Sequence, residues 1–237
     1  PFPILLGDIH KESNFRFLFT KIFLLLYVTD DWSESIPLFH CQSSIINYQL
    51  NNAMAKTKEQ LLNILDQFQL TEKVVSAEPF GNGHINDTLK VTNEKGEIKY
   101  VLQRINHLIF TNVDMLQNNI QIVTSHIRKK LEEKGESNID RKVLTFLPTK
   151  DNKLYYFDGD SYWRVCLFIP NSKSYEEVNP ELSYEAGKAF GDFQSMLADI
   201  PEGTLGETIP NFHNMEFRLE QFHDAVKSNA AGRLDEV

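Results

Sequence analysis

From Thr57 onward the apolar residues Leu61, Leu62, Ile64, Leu65 and Phe68 recur at three- and four-residue spacing, which predicts an amphipathic helix. Thr57 and Gln60 stand at the spacing of a capping box, so the helix has a start signal as well as a stripe. The period then shortens. Lys73 to Ala77 and Thr88 to Thr92 are short β-prone runs separated by a glycine-bearing turn, and a third run covers Ile98 to Ile105 after the tight turn at Asn93 to Glu97. These runs predict a three-strand meander whose first hairpin carries the glycines.

A longer helical pattern follows. Val113, Leu116, Ile120, Val123, Ile127 and Leu131 share one face of a helix expected over Asn112 to Lys134, closed by the polar stretch around Gly135. Two further strands are expected at Lys142 to Phe146 and Leu154 to Phe157. The strongly β-prone run from Tyr162 to Ile169 comes next. Residues 171–178 are polar and lack periodicity, as a hinge would be. Beyond it Tyr184, Ala186, Phe190, Phe193 and Leu197 predict a helix ending near Pro201, and Phe212 to Leu234 carries one or two more. The expected fold class is α+β: a sheet-rich lobe over 54–170, a hinge at 171–178 and the beginning of a helical lobe over 179–237.

Residues 1–53 have a different texture. They crowd aromatics at Phe15, Phe17, Phe19, Phe23 and Tyr27, and their longest apolar run, Ile22 to Val28, is too short to span a bilayer. Met54 opens a stretch that reads as a natural start, so 1–53 is expected to be a leader or upstream-translated segment outside the fold. The formal net charge of −9 disfavours a broad nucleic-acid or anionic-membrane surface, which needs a basic field. Cys41 and Cys166 lack CxxC spacing, so the thiols are expected to be apolar fillers in a reducing cytoplasm.

The chemistry concentrates in the glycine turn. Gly81 and Gly83 permit backbone angles forbidden to other residues, and successive N–H groups there can form a nest for phosphate oxygens. A plain hairpin uses the same glycines. The stretches Phe80-Gly-Asn-Gly-His-Ile-Asn-Asp-Thr88 and Tyr100-Val-Leu-Gln-Arg-Ile-Asn106 resemble the small lobe of the aminoglycoside-phosphotransferase-like kinases. Within that superfamily they are most similar to the N-acetylhexosamine 1-kinase branch. Val143 to Thr149, Tyr184 to Gly191 and Glu207 to His213 are similar to that branch as well, so the likeness extends from about Met54 to the end.

The resemblance implies a protein-kinase-like two-lobe fold, ATP as phosphoryl donor with magnesium, and a sugar hydroxyl as acceptor. It places Gly81, Asn82, Gly83, His84 and Asn86 over the nucleotide phosphates and the adenine near Leu167 and Ile169 at the hinge. His84 and Asn86 are equally good turn residues. In kinases a lysine on the third strand grips the phosphates, positioned by an acid on the following helix. Here that position falls at Gln103, with Arg104 on the other face, and the helix offers Asn118 and Asn119. Either Gln103 replaces the cation, or Arg104 supplies it; the guanidinium fork favours Arg104.

The resemblance also implies a catalytic His-x-Asp loop and an acidic magnesium motif after the hinge. Neither is found before Val237, so the chain is expected to be a fragment without its catalytic residues or metal ligands. Another acceptor (an aminoglycoside, choline or amino alcohol) and a non-catalytic nucleotide-binding module are the alternatives. A sulfatase is rejected, because neither cysteine has the Cys-x-Pro/Ala-x-Arg context. Helical spacing of His213, Glu216, Glu220 and His223 is insufficient for a metal site, and Asp192 and Asp199 read as exposed helix carboxylates.

Overall fold

The computed structural model describes residues 56–81, 85–172, 179–212, 214–229 and 232–233; Asn82, Gly83, His84, most of the expected hinge, Cys41 and the expected leader lie outside them. Among the described residues the architecture is α+β, a six-stranded antiparallel sheet with four helices.

Helix α1 (Lys58–Leu65) begins where the capping box predicts. Thr57 N–H donates to Gln60 Oε1 at 2.8 Å, and Gln60 N–H donates to Thr57 Oγ1 at 3.3 Å. Strands β1 (Val74–Pro79), β2 (Asp87–Asn93) and β3 (Ile98–Ile105) form the expected meander. Helix α2 (Val113–Glu133) follows, and then the edge strand β4 (Phe146–Leu147), β5 (Tyr156–Phe157) and β6 (Tyr162–Leu167). The strand order is β1-β2-β3-β6-β4, with β5 also pairing with β6. The α2 crossover thus returns the chain so that β6 lies directly against β3.

Alternation divides the sheet into two faces. Tyr100, Leu102, Trp163 and Val165 point to the outer face, where α1 seals them with Leu61, Ile64, Leu65 and Phe68. Ile105, Tyr162 and Phe146 point to the inner face against α2, whose Leu116, Ile120, Val123 and Ile127 are buried as its periodicity predicts. Asn112 caps α2 by accepting Met115 N–H at 2.9 Å. At the far end Gly135 (φ 68°) turns left-handed. Its N–H reaches Glu132 O at 2.9 Å and Glu136 N–H reaches Leu131 O at 3.0 Å, the paired bonds of a Schellman closure.

The expected strand at 142–146 shrinks to Phe146–Leu147. A single 3-10 turn, Ile139–Arg141, precedes it, and Asp140 there accepts Arg128 at 2.7 Å and the Thr145 hydroxyl at 2.9 Å. Those bonds hold the Thr145 side chain to the 3-10 turn, and bonding to β6 starts at the Thr145 carbonyl, which accepts Leu167 N–H at 2.9 Å. The strand expected at 154–157 likewise keeps only Tyr156–Phe157.

Helix α3 (Pro180–Leu197) starts earlier than its apolar pattern indicated, because Asn179 caps Leu182 N–H at 2.8 Å and Pro180 occupies the first turn. Helix α4 (Met215–Ser228) is capped by Asn214 and leaves Met215, Leu219, Phe222 and Val226 exposed. Among the described residues no helix is long and apolar enough to cross a membrane.

Asp199, just past α3, joins that helix to α2. Its carboxylate meets Lys130 Nζ and lies 2.9 Å from His126 Nε2. The Lys130 contact first, and His126 second, hold its pKa down at about 2, below the ordinary 3.8. A depressed acid contributes stability above its unfolded pKa and loses it as pH falls through the folded one. The melting midpoint is therefore expected to fall between about pH 4 and pH 2 at low salt, and Asp199→Asn to flatten that part of the profile. An identical acid limb in the variant would exclude this contact as its source.

Candidate functional site

The site is built on the β1–β2 hairpin. Phe80 N–H donates to Thr88 O at 2.9 Å to close it, and Gly81 follows with φ 79°, a left-handed angle that a side chain would strain. The return leg is held from below. Asn86 is only 4% exposed, and its Oδ1 accepts Asn106 N–H at 3.0 Å, pinning the base of the turn to the end of β3. The side chain that was expected to reach toward phosphate is thus engaged inside the fold.

Gln103 and Arg104 separate as alternation requires. Arg104 stands opposite Trp163 on the outer face and Asp87 on β2, and its Nε donates to Asp87 Oδ2 at 2.5 Å. The guanidinium favoured for phosphate contact is therefore committed to a cross-strand ion pair on the face away from α2. Gln103 faces inward, opposite Arg164 of β6. Its Nε2 donates to Thr88 Oγ1 at 3.0 Å and its Oε1 accepts Arg164 Nε at 3.0 Å, so the amide orientation is fixed at both ends.

On α2, Asn118 is exposed and Asn119 is buried. Asn119 reaches the later loop instead, donating to Gly206 O at 2.8 Å and accepting Gly206 N–H at 3.0 Å. Of the other buried polar groups on α2, Thr124 donates to Ile120 O at 2.8 Å, and Gln117, 2% exposed, has an Nε2 with no partner among the described residues.

Sequence reasoning missed Arg164. It is 5% exposed, stacks over the Phe146 ring at 5.3 Å, and its Nη1 has no partner among the described residues. Burial draws its pKa down to about 10, which leaves it charged near neutrality. Cys166, two residues on, is a buried free thiol pushed up to about 11 by burial, so it stays protonated and supplies no counter-charge. The signal was present in Tyr-Trp-Arg-Val-Cys-Leu, an arginine set in an apolar strand.

At the hinge end, Leu167 N–H donates to Thr145 O at 2.9 Å, and the Leu167 side chain packs on the outer cluster. A ligand on the inner face would meet only its main chain. Ile169 is half-buried and its carbonyl accepts the Ser172 hydroxyl at 3.2 Å, while Arg141 holds Pro170 O at 2.6 Å. Phe80 and Phe168 meet edge to face, with centroids 5.9 Å apart, which brings the start of the glycine turn against the end of β6. The tyrosines Tyr155, Tyr156 and Tyr162 pack against the two cores. Among the described residues no three His, Cys, Asp or Glu side chains converge on a point where a metal could sit.

No protein-family model matches the chain.

Proposed function

We propose that this chain carries the nucleotide-binding lobe of an ATP-dependent kinase that phosphorylates a small-molecule hydroxyl, with the anomeric hydroxyl of an N-acetylhexosamine as acceptor. One observation carries the reading. Gln103 on the third strand points to the sheet face that the following long helix covers, and the hairpin beside it is the glycine turn. That is the placement a kinase-like lobe needs, because its loop covers the phosphates while the third strand and the next helix position them.

The residues fit a nucleotide in several respects. Gly81 opens a turn whose backbone can approach phosphate oxygens, and Thr88 with Arg164 holds the Gln103 amide in one orientation. The chain entering the hinge, where the resemblance puts the adenine, is fixed by Leu167 N–H on Thr145 O, Phe168 N–H on Lys99 O and Arg141 on Pro170 O. ATP, when bound, supplies the phosphoryl group. The lobe supplies positioning and electrostatic stabilisation, which dominate phosphoryl transfer.

MgATP at saturating concentration is expected to raise the melting midpoint by a few degrees, as ligand binding to the native state requires. Gly81→Val, which strains the turn, is expected to weaken that binding about tenfold (roughly 1.4 kcal/mol) by calorimetry. A chain whose midpoint ignores MgATP would end the nucleotide reading. Turnover of N-acetylglucosamine against choline and an aminoglycoside, by this lobe joined to the catalytic loop that the resemblance implies, then decides the acceptor.

A further inference from the structure

Thr88, Gln103 and Arg164 stand side by side on three adjacent strands, in the register pairs Thr88↔Gln103 and Gln103↔Arg164. The chemistry of the three groups fixes the direction of the bonds between them. Arginine Nε can only donate, so the Gln103 atom that faces it at 3.0 Å is the carbonyl oxygen. That turns the amide nitrogen toward β2, where it donates to Thr88 Oγ1 at 3.0 Å. The Thr88 oxygen is therefore the acceptor in this pair, and its own proton must swing away from Gln103. A line of bonds thus runs from β6 through β3 to β2, every one donated the same way, and it starts at a cation. Hydrogen bonds in series polarise one another, most of all in a low-dielectric interior. Arg164 is 5% exposed and keeps its charge near neutrality.

The line ends beside the glycine turn. Thr88 is half-buried, and its carbonyl accepts the Phe80 N–H that closes the hairpin. By alternation Glu78 and Lys90 share the inner face with the Thr88 side chain. They pair with each other at 3.5 Å and keep 60% and 34% of their side chains exposed, so among the described residues the inner face is open here. Over β6 the same face is covered by α2. The Thr88 hydroxyl is thus a donor of fixed sense at the uncovered part of the face, next to Gly81.

We propose that the Thr88 hydroxyl donates to a phosphate oxygen of the nucleotide, with Gln103 and Arg164 as positioning residues that point its proton outward. The assignment rests on the nucleotide reading above. It puts a hydroxyl of the neighbouring strand where a kinase uses its third-strand lysine, and a buried guanidinium behind it. An anion suits the end of such a line, because a donor backed by a cation binds a charged oxygen more strongly than a neutral one.

MgATP is titrated into the full chain by calorimetry, with adenosine as the phosphate-free control. Thr88→Val keeps the shape and removes the hydroxyl; it should weaken MgATP about tenfold and leave adenosine unchanged, while Thr88→Ser should stay within about threefold of wild type. Gln103→Glu tests the direction of the line. A carboxylate accepts from Arg164 and from Thr88 alike, so it reverses the second bond and turns the hydroxyl lone pairs toward the phosphate. It should weaken MgATP at least tenfold in the wild-type background and at most about threefold when residue 88 is already changed by Thr88→Val. Should Gln103→Glu fail to fold, Gln103→Met serves instead, with a severalfold loss that needs Thr88.

Undiminished MgATP affinity in Thr88→Val overturns this donor and leaves the nucleotide reading standing. An equal loss of adenosine affinity overturns the phosphate contact. A Gln103 substitution that costs the same in both backgrounds acts without Thr88, and overturns the positioning role. A wild-type chain that ignores MgATP ends the nucleotide reading, and inorganic tripolyphosphate titrated into the same proteins then decides the donor by itself. Thr88-dependent binding of tripolyphosphate keeps it; absence of binding, or binding that ignores Thr88, overturns it.

Discussion

Trp163→Ala is expected to destabilise the protein by about 3–5 kcal/mol, the cost of emptying a core position of this size. The indole is 2% exposed at the centre of the outer face, on a strand paired on both sides, with Arg104 opposite it on β3 and Tyr156 on β5. Leu65, Phe68, Tyr100 and Leu102 belong to the same cluster, so the hole would have rigid walls from both α1 and the sheet. A second component adds to the packing loss. Trp163 Nε1–H donates to Asp158 Oδ2 at 2.9 Å, and Asp158 also takes Lys56 at 3.0 Å and the Ser161 N–H at 2.8 Å. Trp163→Phe keeps most of the volume and loses only that hydrogen bond, so about 1 kcal/mol is expected for it. Urea denaturation at unchanged m-value measures both. A Trp163→Ala loss below about 1 kcal/mol would mean that α1 does not seal this face.

Asn119→Ala is expected to cost about 2–3 kcal/mol, more than its small volume would imply. The side chain is 1% exposed and makes both hydrogen bonds available to the Gly206 backbone. Its removal leaves the N–H and C=O of half-buried Gly206 without these partners and a cavity at a buried helix position. A β-carbon at Gly206 would overlap Met115 Sδ, so this stretch of backbone packs closely against α2. The damage is expected to localise. Amide exchange should accelerate over 203–210 and leave β3 and β6 protected, because the Asn119 contact is what ties this loop to α2. Uniform acceleration across the sheet would show that the loop is an integral part of the main cooperative unit instead.

The two positions differ in how far they could be read from the chain. Trp163 sits in a strongly β-prone, mostly apolar run, and a central strand buried on both faces explains its burial. Asn119 occupies a helix position where an acidic partner for the third strand was expected, and nothing local indicates that it binds a backbone 87 residues away. The same contrast applies within the candidate site. Alternation along β3 separates Gln103 from Arg104 without saying which of them faces α2. That assignment comes from α1 covering the Tyr100 and Leu102 side, which leaves Arg104 with Asp87 and Gln103 with Arg164.

What the chain determines alone is whatever a repeated local interaction encodes. The apolar stripe of α2, the Thr57–Gln60 capping box and the meander with its left-handed Gly81 all depend on neighbours within a few residues, so composition and spacing predict them. Tertiary structure decided where short-range preference was weak or where one contact outweighed it. Residues 142–145 have β-propensity, yet Asp140 binds Arg128 and Thr145 and keeps the chain out of regular strand until Phe146. Buried polar groups are the second such case. Whether Arg164, Gln117 or Asn86 meets a partner depends on which distant element covers it, and in a low-dielectric interior that one fact sets the energy of the site.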